Sequence, residues 1–162
     1  MVVPSNTFLF ADLCDYTEAA FHRGDEFAAE LAVGFHVLVR GIAAEECCEV
    51  VKAIGDAVMV RAVNVEDAVR VAQRIHVAVR DLDFPPVRIG IDCGPAVPRA
   101  GDWYGTTVNR AARVAEAADR GETLLTGNAR TALVAAGELQ IVERGMRALK
   151  GLPESMLHEA YA

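Results

Sequence analysis

The 162-residue sequence is short of positive charge: 16 Lys and Arg stand against 23 Asp and Glu, a formal net charge of -7. Binding nucleic acid generally requires clustered cations to neutralise phosphates, so this balance argues against it, and an anionic ligand needs a local basic site. Cys-x-x-Cys and the Cys/His spacings of zinc sites are missing. Cys14, Cys47, Cys48 and Cys93 instead lie in or beside apolar runs, which suits a reducing compartment better than a disulfide scaffold. The opening Met1-Val2-Val3-Pro4-Ser5-Asn6 carries no basic leader. Apolar stretches read as interrupted before the roughly 20 residues a membrane span requires. The expectation is a soluble, cytoplasmic protein with no membrane segment. Aromatics are 6% of a chain that is 52% hydrophobic, mostly Ala and Val. That composition suits close-packed helices on a sheet, with an apolar face available to a partner. No repeat, low-complexity tract or linker interrupts residues 1–162, which read as one domain able to build a core without staples.

What is present has a clear order. Thr7 to Ala11 is a short apolar strand, and the polar run Asp12 to Glu18 can start a helix with Asp or Thr as cap. From Asp25 to about Ala44, Phe27, Leu31, Phe35, Leu38 and Ile42 recur at helical spacing. Strands over about 46–53 and 57–62 meet at Gly55. Asn64 can cap a second long helix with Val65, Ala68, Ala72, Ile75 and Val79 as its buried stripe, and Pro85-Pro86 separates it from a strand over 87–91. Strand, helix, strand, strand, helix, strand is the split βαβ order of an α+β, ferredoxin-like fold with helices on one face of the sheet. Beyond Gly94 the spacing predicts an irregular arm to Gly101, a helix from Gly105 to about Gly121 and a strand over 122–126. A short helix over 127–136 and a terminal strand pair over 139–147 and 156–161 complete the chain.

Lys52-Ala53-Ile54-Gly55-Asp56 places a cation, a turn and a carboxylate between two apolar runs. A Gly-Asp tip suits a solvated hairpin, yet charged groups on half-buried strands are generally paired or put to use. Asp12 and Asp56 fall at strand ends that the topology makes neighbours. Two carboxylates converging without a local Arg or Lys would repel, and divalent cations relieve that; all-oxygen ligands favour Mg or Mn. Asp15 could be a third ligand, although a capping role is the more natural at a helix start. Asn109 and Arg113, four apart on a small-residue helix, project from the same side. They suit either a surface pair or the orientation of a sugar and the neutralisation of a phosphoryl group. Lys150 alone says nearly nothing.

In order, Phe10 to Thr17, Lys52 to Ala57, Asp102 to Arg113, and Arg144-Gly145 with Leu149-Lys150-Gly151 resemble the catalytic domain of class III nucleotidyl cyclases. The match runs from about Thr7 to Gly151, with extra C-terminal strands and helices around the ferredoxin-like core. The resemblance implies that Asp12 and Asp56, with the Leu13 carbonyl, bind two divalent ions per site, Mg or Mn. It implies that Lys52 and Asp102 read the purine, that Asn109 and Arg113 act on the transition state, and that Lys150 holds the outer phosphates. Backbone amides of Cys14, Asp15, Tyr16 and Thr17 would be further phosphate donors. Lys52 and Asp102 suit adenine: a Lys can donate to N1 and an Asp can accept from the exocyclic amine. ATP would therefore be converted to 3′,5′-cyclic AMP and pyrophosphate. Because the family takes the two residue sets from different subunits, a homodimer with two composite sites is expected.

The arm between Gly94 and Asp102 looks short for the family, so Arg99 matches a phosphate-facing arginine only loosely. No receptor, linker or membrane domain precedes Phe8 in this chain. Alternatives are a guanylate cyclase, a non-catalytic nucleotide-binding module, and a metal phosphohydrolase. The last needs Asp-x-Asp where this chain has Asp12-Leu13-Cys14-Asp15.

Overall fold

The computed structural model describes residues 6–133 and 140–161. Strand β1 (Asn6–Leu13) lies near the middle of a seven-stranded sheet, with hairpin β2 (Glu49–Ile54) and β3 (Ala57–Ala62) on one side. On the other side come β4 (Val87–Gly94), β7 (Thr123–Thr126), β9 (Leu152–Tyr161) and β8 (Gln140–Leu149), in that order. Only β4 and β7 pair in parallel among the described strands; the other neighbours are antiparallel.

Alternation along the strands sorts side chains between two layers, because successive residues point to opposite faces. Leu9, Ala11 and Leu13 of β1 and Val87, Ile89 and Ile91 of β4 face the main core under helices α2 (Asp25–Glu45) and α3 (Val65–Asp81). Phe8 and Phe10, with Met59, face the opposite side, where α4 (Thr106–Ala117) packs through Val108, Ala111 and Ala115. The ferredoxin-like order thus keeps α2 and α3 on one face, and α4 covers the other. Asn64 caps α3 as expected, its side chain accepting from the Asp67 amide.

Several boundaries differ from the sequence reading. A short helix α1 (Tyr16–Arg23) precedes α2, the two being separated at Gly24 with φ 92°. The deeply buried face of α2 is Ala28, Ala32, Phe35, Val39, Ile42 and Ala43, with Leu31 and Leu38 packed at its margin. Taken by length and composition, α2 is apolar enough to cross a membrane, contrary to the expectation from interrupted runs. In this fold its deeply buried face belongs to the core. The expected irregular arm is a hairpin of β5 (Val97–Arg99) and β6 (Asp102–Tyr104). Ala100 and Gly101 both have positive φ, as a two-residue type I′ turn demands. Helix α4 stops at Ala117, where Arg147 Nη1 donates to the Ala117 carbonyl and Glu122 accepts the Asp119 amide. A final short helix, α5 (Gly127–Ala132), ends before the expected residue 136, and 134–136 and 139 lie outside the described residues. Strand β9 begins at Leu152 rather than Met156, because Gly151 at φ 74° turns the chain directly out of β8.

Candidate active site

Asp12 and Asp56 line one cleft of about 540 Å³ together with Leu13, Cys14, Asp15, Tyr16, Thr17 and Arg88. Asp12 reaches it from the end of β1. Asp56 follows Gly55, whose φ of 59° turns the β2–β3 hairpin, and His36 Nε2–H donates to the Gly55 carbonyl at 2.8 Å, tying the hairpin tip to α2. Burial, the Asp12 charge and a hydrogen bond with Asp12 push the Asp56 carboxyl up to about 6. Half-buried like charges have that effect.

The sequence expectation that no cation stands beside these carboxylates is wrong. Arg88 sits directly across from Asp12 in the antiparallel β1–β4 register, so both side chains leave the sheet on the same face. Its Nε and Nη2 donate to Asp12 Oδ2 at 2.9 and 2.7 Å. The signal for Arg88 was cross-strand, visible only once β1 and β4 were registered 76 positions apart.

Asp15 occupies the N-cap position of α1, but its φ of 60° is left-handed and its carboxylate makes no cap hydrogen bond. It pairs instead with Arg120 on the rim of the cleft, so the capping expectation fails. The Cys14 amide is committed to the Pro86 carbonyl at 2.8 Å and is unsuited to a phosphate. Asp15, Tyr16 and Thr17 remain, because helix α1 offers its first-turn amides no intrahelical acceptor. Burial raises the Cys14 thiol above its usual range, which disfavours a thiolate ligand.

The other predicted residues do not line this cleft. Lys52 Nζ donates to Asp102 Oδ2 at 2.5 Å. A bulge between Val50 and Lys52 sets Lys52 opposite Met59, on the α4 side of the sheet, where β6 brings Asp102. Lys52 and the Trp103 amide hold the Asp102 carboxyl below its usual range. Asn109 is exposed near the start of α4, and Arg113, one turn later, donates from Nη1 to both Glu116 oxygens at 2.9 Å. Lys150 is exposed in the β8–β9 turn. Arg99, also exposed, pairs in register with Asp102 across the β5–β6 hairpin. Lys52 and Lys150 are the only two lysines in the chain.

Among the described residues, no group of three or more His, Cys, Asp or Glu side chains is placed to hold a metal ion. Asp12 and Asp56 offer two carboxylates in contact with each other at the cleft. Their mutual repulsion and all-oxygen chemistry fit a hard divalent cation that takes its remaining ligands from water and substrate phosphates.

The sequence matches, over residues 3–160, the family described as the adenylate and guanylate cyclase catalytic domain. An adenylate cyclase of Streptomyces griseus is 33% identical over 130 residues, covering 80% of this chain and 33% of the relative. A pH-sensitive adenylate cyclase of Mycobacterium tuberculosis is 35% identical over 150 residues, covering 90% and 38%. The chain thus spans about a third of the length of the curated relatives it matches. Among solved structures, an adenylate cyclase of Trypanosoma brucei in its monomeric state superposes with TM-score 0.85 at 21% identity, over 97% of this chain and 88% of that one. The catalytic core of a rhodopsin-guanylyl cyclase with converted specificity, in complex with ATPαS, gives 0.87 at 20% identity, over 99% and 96%. The chain belongs to the adenylate and guanylate cyclase family and has the class III catalytic fold. Because guanylyl and adenylyl enzymes share that fold, the choice of base rests on side chains.

Proposed function

We propose that this chain is an adenylate cyclase domain, converting ATP to 3′,5′-cyclic AMP and pyrophosphate at sites shared by two copies. The observation that carries the choice of base is the Lys52–Asp102 pair. An ammonium donor and an ionised carboxylate acceptor lie 2.5 Å apart. Adenine asks for that combination, a donor to N1 and an acceptor for the 6-amino group, and the Streptomyces and Mycobacterium relatives are named adenylate cyclases.

The separation of the two residue sets supports composite sites. Asp12 and Asp56 open into one cleft, whereas Lys52, Asp102, Asn109, Arg113 and Lys150 lie outside it. A two-fold homodimer would set the second group of one copy over the cleft of the other.

In the reaction, the ribose 3′-hydroxyl gives up its proton to solvent and its oxygen bonds to the α-phosphorus as the bond to the bridging oxygen of the β-phosphate breaks, releasing pyrophosphate. Asp12, Asp56 and the Leu13 carbonyl would hold the divalent ions, Mg or Mn. Those ions supply acidification of the 3′-hydroxyl and neutralisation of phosphate charge when bound. Arg113 meets the charge that grows on the α-phosphoryl oxygens, Asn109 holds the ribose, and Lys150 with the free amides of the α1 start binds the outer phosphates. Arg88 keeps Asp12 oriented. The free cysteines suit a cytoplasmic location. Incubating the purified chain with Mn and either ATP or GTP, following cyclic nucleotide and pyrophosphate together, tests the reading; faster GTP turnover, or none with ATP, overturns it.

A further inference from the structure

Strand β4 presents its even-numbered residues to α4, and each meets a different point of that helix. A Cβ on Gly94 would stand 2.7 Å from Thr107 Oγ1, and one on Gly90 2.1 Å from the Ala115 amide nitrogen. Between them Arg110 Nε donates to Asp92 Oδ2 at 2.7 Å, and at the far end Arg88 Nη1 reaches the Glu116 carbonyl at 3.2 Å. Alternate strand residues advance by about 6.8 Å and a helical turn by about 5.4 Å. Four strand positions therefore touch α4 between Thr107 and Glu116.

The glycine contacts press helix on strand without choosing how the helix is rotated. Asp92 is the directional member. It is 0% exposed, and a buried carboxylate is strongly unfavourable unless its lone pairs are used. Thr126 Oγ1 donates to Oδ1 at 2.5 Å while Arg110 takes Oδ2, and the same Thr126 oxygen accepts the Ala129 amide at 3.1 Å. Strand β4, helix α4 and the start of α5 thus share one satisfied network. An apolar pair could fill this space at least as stably; a charge-assisted bond adds angular definition. Asn109 precedes Arg110 and Arg113 follows one turn later, so both inherit whatever rotation that bond sets.

We infer that Asp92 and Arg110 are positioning residues, whose ion pair on the buried Asp92 carboxylate fixes the rotation and register of α4 so that Asn109 and Arg113 meet the nucleotide. The inference rests on the adenylate cyclase reading and deepens it. The test compares wild type, the double variant Asp92→Leu/Arg110→Met, Arg110→Met and Arg110→Lys by steady-state kinetics, thermal unfolding and amide hydrogen exchange. The double variant should keep its thermal midpoint and its KM for ATP, lose kcat by about tenfold or more, and exchange α4 amides faster. Arg110→Lys, which retains a donor to the carboxylate, should recover kcat relative to Arg110→Met, and that comparison decides the matter if the double variant does not fold. A stable double variant with wild-type kcat, or α4 amides protected as in wild type, overturns the positioning role. A wild-type chain that makes no cyclic AMP overturns the cyclase reading instead, and amide exchange still reports on the seating of α4.

Discussion

Arg88 faces Asp12 across neighbouring strands and places two N–H groups on a single carboxylate oxygen, at 2.9 and 2.7 Å. That arrangement orients Asp12 beside Asp56 without relieving Asp56, whose carboxyl burial and the Asp12 charge still raise to about 6.

Replacing Arg88 by Met should therefore weaken metal binding and turnover together. A charge-assisted hydrogen bond contributes about 1.5–3 kcal/mol, so a loss of roughly 10- to 100-fold in kcat/KM is expected. Titration with Mn and initial-rate kinetics check it; an unchanged Mn affinity would show that Asp12 needs no such support.

The raised pKa of Asp56 fixes the sign of a pH effect. An unfolded Asp titrates near about 4, so between roughly pH 4 and 6 the folded chain holds the extra proton, and metal-free stability falls as pH rises through that window. Above it the penalty is fully present. Asp56→Asn should raise the metal-free thermal midpoint at pH 7.5 relative to wild type, with the difference vanishing by about pH 4. Added Mn should stabilise wild type and not the variant. Thermal scans across this range, with and without Mn, give the answer, and a variant less stable than wild type at pH 7.5 would show that ionised Asp56 carries no penalty from burial and the Asp12 charge.

If Lys52 and Asp102 read the base as proposed, exchanging them should change the choice of nucleotide. Lys52→Glu with Asp102→Gly removes the donor and acceptor matched to adenine, and the ATP/GTP ratio of kcat/KM should fall by about tenfold or more. A ratio like that of wild type means the purine is read elsewhere.

The proposed sharing of sites would make two inactive proteins complementary. Asp56→Ala and Arg113→Ala should each abolish cyclic AMP formation, whereas an exchanged mixture should regain about a quarter of wild-type activity, since half the dimers hold one good site of two. No recovery, with subunit exchange demonstrated by native mass spectrometry, argues against a composite site.

How far the sequence carries depends on whether a feature is local. Asp12, Asp56 and the stripe of α3 were legible because strand ends, caps and helical period are written in consecutive residues. Arg88 and the Asp92–Arg110 pair were not, because the first needs the β1–β4 register and the second needs α4 laid on β4. The β5–β6 hairpin was missed because its three-residue strands, one carrying Pro98, show no alternation. Asp15 misled in the opposite way: its residue type suits a cap, but its left-handed backbone and Arg120 turn the carboxylate to another use.

The confinement of lysine to positions 52 and 150 gives the molecule its own chemical reporter. Besides the α-amino group, an amine-directed label has two targets, one paired with Asp102 and one in open solvent. On the proposed reading, their relative modification, followed by mass spectrometry as nucleotide is added, would report occupancy at the two ends of one substrate: the purine at Lys52 and the polyphosphate at Lys150.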